Sequence, residues 1–150
     1  MVPETKKKRH FFIEGPISPQ QIADSIAKHS AKKNIGAHEI FLGQVRADVI
    51  NGKTITTIDY SAYTDMAENE IEKIRENIIV KYQLTCAHVY HSIGKVNAGE
   101  ICLFVFVSSS HRNEAMDACR EFVESVKKNV PVFGKELFED ESYQWKENSI

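Results

Sequence analysis

At 150 residues the chain has room for one domain with a buried core and falls short of the usual length of two. Nineteen lysines and arginines against twenty-one acidic side chains leave a net charge of -2, without the electrostatic footprint of a phosphate-backbone binder, so no nucleic acid partner is expected. No stretch approaches the roughly 18 apolar residues of a membrane span, and the start lacks the apolar core of a secretory signal; no membrane is expected, and the compartment expected is the cytoplasm.

Residues 1–9 hold the one dense positive block, Lys6-Lys7-Lys8-Arg9, read as a basic flexible tail ahead of a domain at residues 10–150. His10 to Glu14 predicts a short strand closed by Gly15-Pro16. Ser18 then caps a helix, with Pro19 at its first position, Gln21 three residues past the cap, and Ile22, Ala23, Ile26 and Ala27 on one apolar face to about Lys28. After the polar loop Ser30 to Asn34, Ala37 to Val45 predicts a strand in which Gly43 marks a bulge or a close backbone approach. A second strand, Thr54 to Tyr63, follows the turn signal Asn51-Gly52, and the two are expected to pair as a hairpin with a long tip.

Ala67, Ile71, Ile74 and Ile78 recur at helical steps and predict an amphipathic helix from Asp65 to Tyr82. Leu84 to Ile93 and Glu100 to Ser109 predict two further strands separated by Gly94 to Gly99. The second is apolar on both faces from Ile101 to Val107 and belongs at a sheet centre. Ser110 is expected to cap a third helix that turns Ala115, Cys119, Phe122 and Val126 inward and ends before Pro131. The sum is α+β: a single domain with a mostly antiparallel sheet flanked by helices.

Several side chains are placed for chemistry, each beside a plainer alternative. Arg46 projects from a strand end and suits a bidentate anion contact, or is a surface arginine. His111-Arg112 opens a helix, where free N–H groups favour an anion and cations oppose the dipole; an incoming anion would resolve that conflict. Lys127 and Lys128 complement the dipole at the other end of that helix, and Lys135 reads as a loop lysine. Cys86, Cys102 and Cys119 lie in apolar stretches without paired spacing and read as core thiols, with Cys119, next to Arg120, the one nearest to a nucleophile's setting. His88 and His91 sit three apart on a strand, point to opposite faces and cannot easily share an ion, so no metal is expected. No phosphate loop, nucleophile elbow or Rossmann fingerprint is present.

As a set, Phe41-Leu42-Gly43-Gln44-Val45-Arg46, Tyr60 to Met66 with Ala67-Glu68, His91-Ser92-Ile93-Gly94, Ser110-His111-Arg112 and Lys127 through Pro131 to Lys135-Glu136 resemble the large, catalytic subunit of molybdopterin synthase from about His10 to Lys146. The resemblance implies a hammerhead-like α/β fold and a homodimer within a heterotetramer. The partner it implies is a small ubiquitin-like sulfur carrier ending in a Gly-Gly thiocarboxylate, and the substrate cyclic pyranopterin monophosphate, whose dithiolene two sulfur transfers would install with no cofactor. It makes Gln44, Val45, Arg46, His111, Arg112, Lys127, Gly134, Lys135 and Glu136 substrate contacts, with Lys127 the main catalytic lysine.

Two positions depart from the family. Gly134 stands where a basic residue is usual, and the expectation is that Lys135 takes over as a second catalytic lysine; Ser92 stands where an arginine commonly follows the histidine. The competing expectation, favoured by Gly134, is a non-catalytic dimeric module of the same fold that binds a small anion.

Overall fold

The computed structural model describes residues 9–146. The basic run expected as a tail falls on residues outside this range, except for Arg9, whose Nε lies 3.9 Å from a Glu72 carboxylate oxygen. In chain order the elements are β1 (Phe12–Glu14), α1 (Pro19–His29), β2 (Ala37–Gln44), β3 (Val49–Ile50), β4 (Lys53–Ala62), α2 (Thr64–Tyr82), β5 (Cys86–Asn97), β6 (Ile101–Ser109), α3 (Arg112–Asn129), β7 (Val132–Phe138) and β8 (Tyr143–Trp145). All eight strands form one sheet in the order β2-β6-β5-β4-β7-β8, with β1 beside β5 and β3 beside β4. Among the described strands only β1 and β5 run parallel, which is the expected α+β class.

The sheet sorts its apolar residues by alternation. On one face Val89, Leu103, Val105 and Val107 meet Ile71, Ile74 and Ile78 of α2 and Ala115, Phe122 and Val126 of α3. On the other, Phe104 and Phe106 pack with Ile17 and with Ile22 of α1. β6 is therefore covered on both sides, as its unbroken apolar run predicts. α1 starts where expected, with the Ser18 hydroxyl accepting a 3.1 Å hydrogen bond from the Gln21 N–H. Among the described residues no helix is long and apolar enough to cross a membrane.

Four local expectations are corrected. β2 and β4 do not pair with each other: β2 runs along β6 from Ala37 opposite Ser109, while β4 lies between β5 and β7. The Asn51-Gly52 turn is present, with φ of 52° and 77°, but joins β4 to the two-residue β3 instead. Gly94 does not end a strand. At φ 86° it bends β5, which continues to Asn97, and the Glu14 carboxylate occupies the space a Cβ would need.

Ser110 does not cap α3. His111 takes the capping position in extended conformation and offers no side-chain hydrogen bond. Finally, the stretch after Pro131 is strand, not loop, and Lys135 lies on β7 opposite Asp59 and Trp145. The inward face of β7 carries Gly134 and Glu136 between Val132 and Phe138, so the alternating apolar signal fails at its two middle positions.

Candidate active site

Three chain segments meet over β4 and β5. The first is the end of β2, where the register breaks between Gly43 and Gln44, the bulge that Gly43 predicts. Val45 is pinned there by a bond from its N–H to the Glu100 carbonyl (3.0 Å) and one from Gly99 N–H to its own carbonyl (2.8 Å). With Val45 buried at 2% exposure, Arg46 is turned into solvent, its guanidinium 3.4 Å from the Asp48 carboxylate. An exposed pair of that kind holds its arginine weakly and leaves it available to another anion.

The second segment is the last turn of α3. Val126 and Val130 anchor it in the core, and Lys127 between them faces outward. The third is β7, whose buried face presents Gly134 and Glu136; Gln144 donates to the Glu136 carboxylate at 3.2 Å. Between these segments lies a cavity of about 190 Å³ walled by Gln44, Val45, Arg46, Asp48, Lys127, Gly134, Glu136 and Lys146 over a floor of Ile58, Tyr60, His91 and Cys102.

Two floor side chains, His91 and Tyr60, are polar and uncharged. His91 Nδ1 lies 2.8 Å from the Ser92 carbonyl, an acceptor only, so Nδ1 carries the hydrogen and Nε2 keeps its lone pair. Burial, and then the charges of Lys127 and Lys146, hold the His91 pKa down at about 4 against the opposing effect of that backbone bond. Tyr60 meets the His91 ring edge-on at 4.9 Å, and burial followed by the neighbouring Cys102 raises its pKa well above the phenol range. At neutral pH the floor thus offers a neutral imidazole and a neutral phenol beneath a rim on which Arg46, Lys127 and Lys146 outnumber Asp48 and Glu136.

The structure brings six expected residues to this cavity: Gln44, Val45, Arg46, Lys127, Gly134 and Glu136. It does not bring Lys135, which alternates to the other face of β7 and places Nζ 3.8 Å over the Tyr143 ring. The residue at the Gly134 opening is Lys146. Its N–H donates to the Gly134 carbonyl at 2.7 Å, and its Cβ lies 3.5 Å from where a Gly134 Cβ would stand. Sequence reasoning missed Lys146 because its only signal is a β7–β8 pairing that the strand pattern hides.

His111 and Arg112 are exposed at the far end of α3, some 15 residues before Lys127, which at ~1.5 Å per residue is about 22 Å away. They cannot reach the cavity of their own chain. Ser92 is fully buried and its Oγ finds no hydrogen-bond partner among the described residues, so that position belongs to the interior and not to a docking surface. Cys119 is buried, and burial, then Glu39, pushes its thiol up to about 11, the setting of an inert core cysteine.

Comparison with known proteins places this geometry. The family profile described as MoaE protein matches residues 12–129. The molybdopterin synthase catalytic subunit of Pyrococcus abyssi is 38% identical over 124 residues, covering 83% of this chain and 82% of that one. The rat protein of the same name is 36% identical over 113 residues, 75% of this chain, which spans only 56% of that longer relative. The crystal structure of molybdopterin synthase from Staphylococcus aureus superposes with a TM-score of 0.80 at 29% identity, covering 95% of this chain and 99% of that one. The chain belongs to the MoaE family, the catalytic subunits of molybdopterin synthase.

Proposed function

We propose that this sulfur-transferring enzyme of molybdenum cofactor biosynthesis binds cyclic pyranopterin monophosphate in the cavity beneath Arg46, Lys127 and Lys146. Sulfur arrives twice from the C-terminal Gly-Gly thiocarboxylate of a small ubiquitin-like carrier. The observation that carries this reading is the pairing of a cationic rim with a neutral floor in one 190 Å³ cavity. Charge at the rim holds the phosphate and the carrier's carboxylate-like terminus, while a neutral His91 and Tyr60 orient the pterin without competing for the anion.

In each transfer the thiocarboxylate sulfur is the nucleophile: it forms a C–S bond to a carbon of the pterin side chain as that carbon's C–O bond breaks, the oxygen leaving on the ring-opened phosphate in one transfer and as water in the other. Water then breaks the acyl–sulfur bond and releases the carrier as a carboxylate. The enzyme needs no nucleophile of its own, in keeping with three cysteines that are all unpaired and buried. What remains for the protein is positioning and charge stabilisation. Lys127 steadies the tetrahedral oxyanion of the acyl exchange and moves protons to and from the pterin. Lys146 supplies the cation that Gly134 cannot, so it, and not Lys135, is the second catalytic lysine. Arg46 leaves Asp48 for the phosphate.

His111 and Arg112 enter the reaction from a second copy of the chain. The about 22 Å of helix between Arg112 and Lys127 excludes them from their own cavity, yet they offer an uncapped helix N-terminus and two side chains suited to an anion. A homodimer with one carrier on each cavity, a heterotetramer, follows. Three unpaired thiols suit the reducing cytosol as its compartment.

The test is to combine the purified chain, thiocarboxylated carrier and cyclic pyranopterin monophosphate and measure the dithiolene product. Product formation that depends on Lys127 and Lys146 is the expected result. Carrier binding without product would leave an anion-binding module in place of an enzyme.

A further inference from the structure

On the face of β5 turned away from the cavity, three donor atoms from two elements converge. Cys86 and His88 are two apart on the strand and therefore share a face, and the last residue of α1, His29, lies over them. His29 Nε2 and His88 Nε2 are 3.0 Å apart, and with Cys86 Sγ the three atoms all lie within 4.8 Å of one another. Tetrahedral zinc, at its usual bond lengths, holds two imidazole nitrogens about 3.4 Å apart and a nitrogen and a sulfur about 3.6 Å apart, so small side-chain rotations suffice.

The surroundings prepare these donors. His29 Nδ1 lies 2.7 Å from the Ser25 carbonyl, so Nδ1 carries the hydrogen and Nε2 presents its lone pair, with the backbone acceptor behind it that fixes a metal-ligating imidazole. The His29 ring is held edge-on to Phe106 at 4.8 Å and to His88 at 5.0 Å, which restricts its rotation. His29 and Cys86 are buried, at 9% and 6% exposure. Three cations oppose an incoming metal ion, and the nearest to a donor is Lys32 Nζ, 2.7 Å from Cys86 Sγ. Lys32 is exposed, and its flexible stem lets the ammonium swing to solvent. Of the two others near His88, Arg75 is occupied by the Ala87 carbonyl at 2.7 Å and by Glu72 at 3.4 Å, and Arg9 lies 3.9 Å from Glu72.

We propose that His29, Cys86 and His88 form a zinc site, with water as fourth ligand, that clamps the end of α1 to the central strands. Two N–Zn bonds and one S–Zn bond form. The Cys86 thiol proton leaves to solvent, and His88 carries its ring hydrogen on Nδ1. The mixed nitrogen and sulfur set selects zinc over magnesium or calcium, which take oxygen. The site is separate from the sulfur-transfer cavity and does not depend on the reading given to it.

Cobalt(II) titration of the full chain tests the site directly. One equivalent should bind with tetrahedral d–d bands and a sulfur-to-cobalt charge-transfer band, both erased by one equivalent of zinc. Cys86→Ser should abolish the charge-transfer band and weaken binding about 100-fold, and His88→Gln should weaken it comparably. Lys32→Ala, at an exposed position that leaves the fold intact, should tighten binding about tenfold by removing the ion that competes for the sulfur. Zinc at about a hundredfold excess over its Kd should raise the wild-type Tm by at least about 5 °C. Substoichiometric uptake, an octahedral spectrum, a charge-transfer band that survives Cys86→Ser, or unchanged or weaker binding by Lys32→Ala would each overturn the proposal.

Discussion

His88 and His91 stand three residues apart on β5 and serve opposite ends. The charges that act on His91 are lysine ammonium groups, the rim is exposed, and His91 itself is held neutral, a setting suited to an anion. Around His88 the partners are a buried imidazole and a buried thiol, donors suited to a soft cation once Lys32 swings away. The same residue type on the same strand thus takes its role from which face alternation gives it and from where its other ring nitrogen is committed.

The sharpest way to break that contrast is to remove the charge on the anion side. Lys127→Ala should lower kcat by about 10² to 10⁴ with the fold intact, as loss of a proton-transfer and oxyanion-stabilising group does; single-turnover sulfur transfer measures it. Arg112→Ala should be similarly impaired. Mixed with Lys127→Ala chains it should recover about a quarter of wild-type activity, because half the random dimers are mixed and each mixed dimer rebuilds one of its two sites. No recovery would mean that both residues serve the same chain's cavity.

Lys146→Ala should cost about 10- to 100-fold in sulfur transfer, while Lys135→Ala, whose ammonium rests on Tyr143, should stay within about twofold. The reverse order would return the second catalytic role to Lys135.

A smaller effect reads the floor. The folded His91 pKa of about 4 lies below the ~6.5 of an unfolded histidine, so between these values the unfolded chain binds a proton that the folded chain refuses. Stability is full above about pH 6.5 and falls as the pH drops toward 4, by about 1–2 kcal/mol for this group between pH 7 and pH 5. Urea midpoints of wild type and His91→Gln at the two pH values measure it. His88, held at about 4 by burial and then by His29, titrates in the same window, so the difference between the two proteins isolates His91. The smallest expected change is none: saturating zinc should leave sulfur-transfer rates as they are.

The parts of the fold legible in the sequence are those where one physical signal acts alone. The Ser18 cap, the Gly43 bulge, the two-sided apolar run of β6 and the Asn51-Gly52 turn all stand where local chemistry puts them. What stayed hidden is where two demands compete. β7 spends two inward positions on Gly134 and Glu136 for the cavity, which erases its alternation. Gly94 carries the mark of a break but bends a continuing strand, because Glu14 packs against its bare backbone. Pairing partners were hidden too, since nothing in β2 or β4 alone says that β6 or β7 will lie beside it.

The site follows the same division. Residues grouped by family resemblance were found together except where distance along α3 or alternation on β7 forbade it, as for His111-Arg112 and Lys135. Lys146 and the His29–Cys86–His88 cluster are tertiary creations. Lys146 meets Gly134, 12 residues before it, and His29 meets His88, 59 residues after it, and no local pattern announces either.

The Lys146 arrangement carries one consequence for motion. β8 is three residues long, pairs among the described strands only with β7, and leaves Tyr143 and Trp145 largely in solvent, so detaching it breaks few hydrogen bonds and exposes little new apolar surface. Such a segment opens far more often than the core does. Each opening carries Lys146 off the rim and lowers the cavity's charge by one. The amide exchange rate of Lys146, whose N–H is bound to Gly134, therefore reads the fraction of time the rim is complete, and a substrate phosphate that holds the lysine in place should slow that exchange.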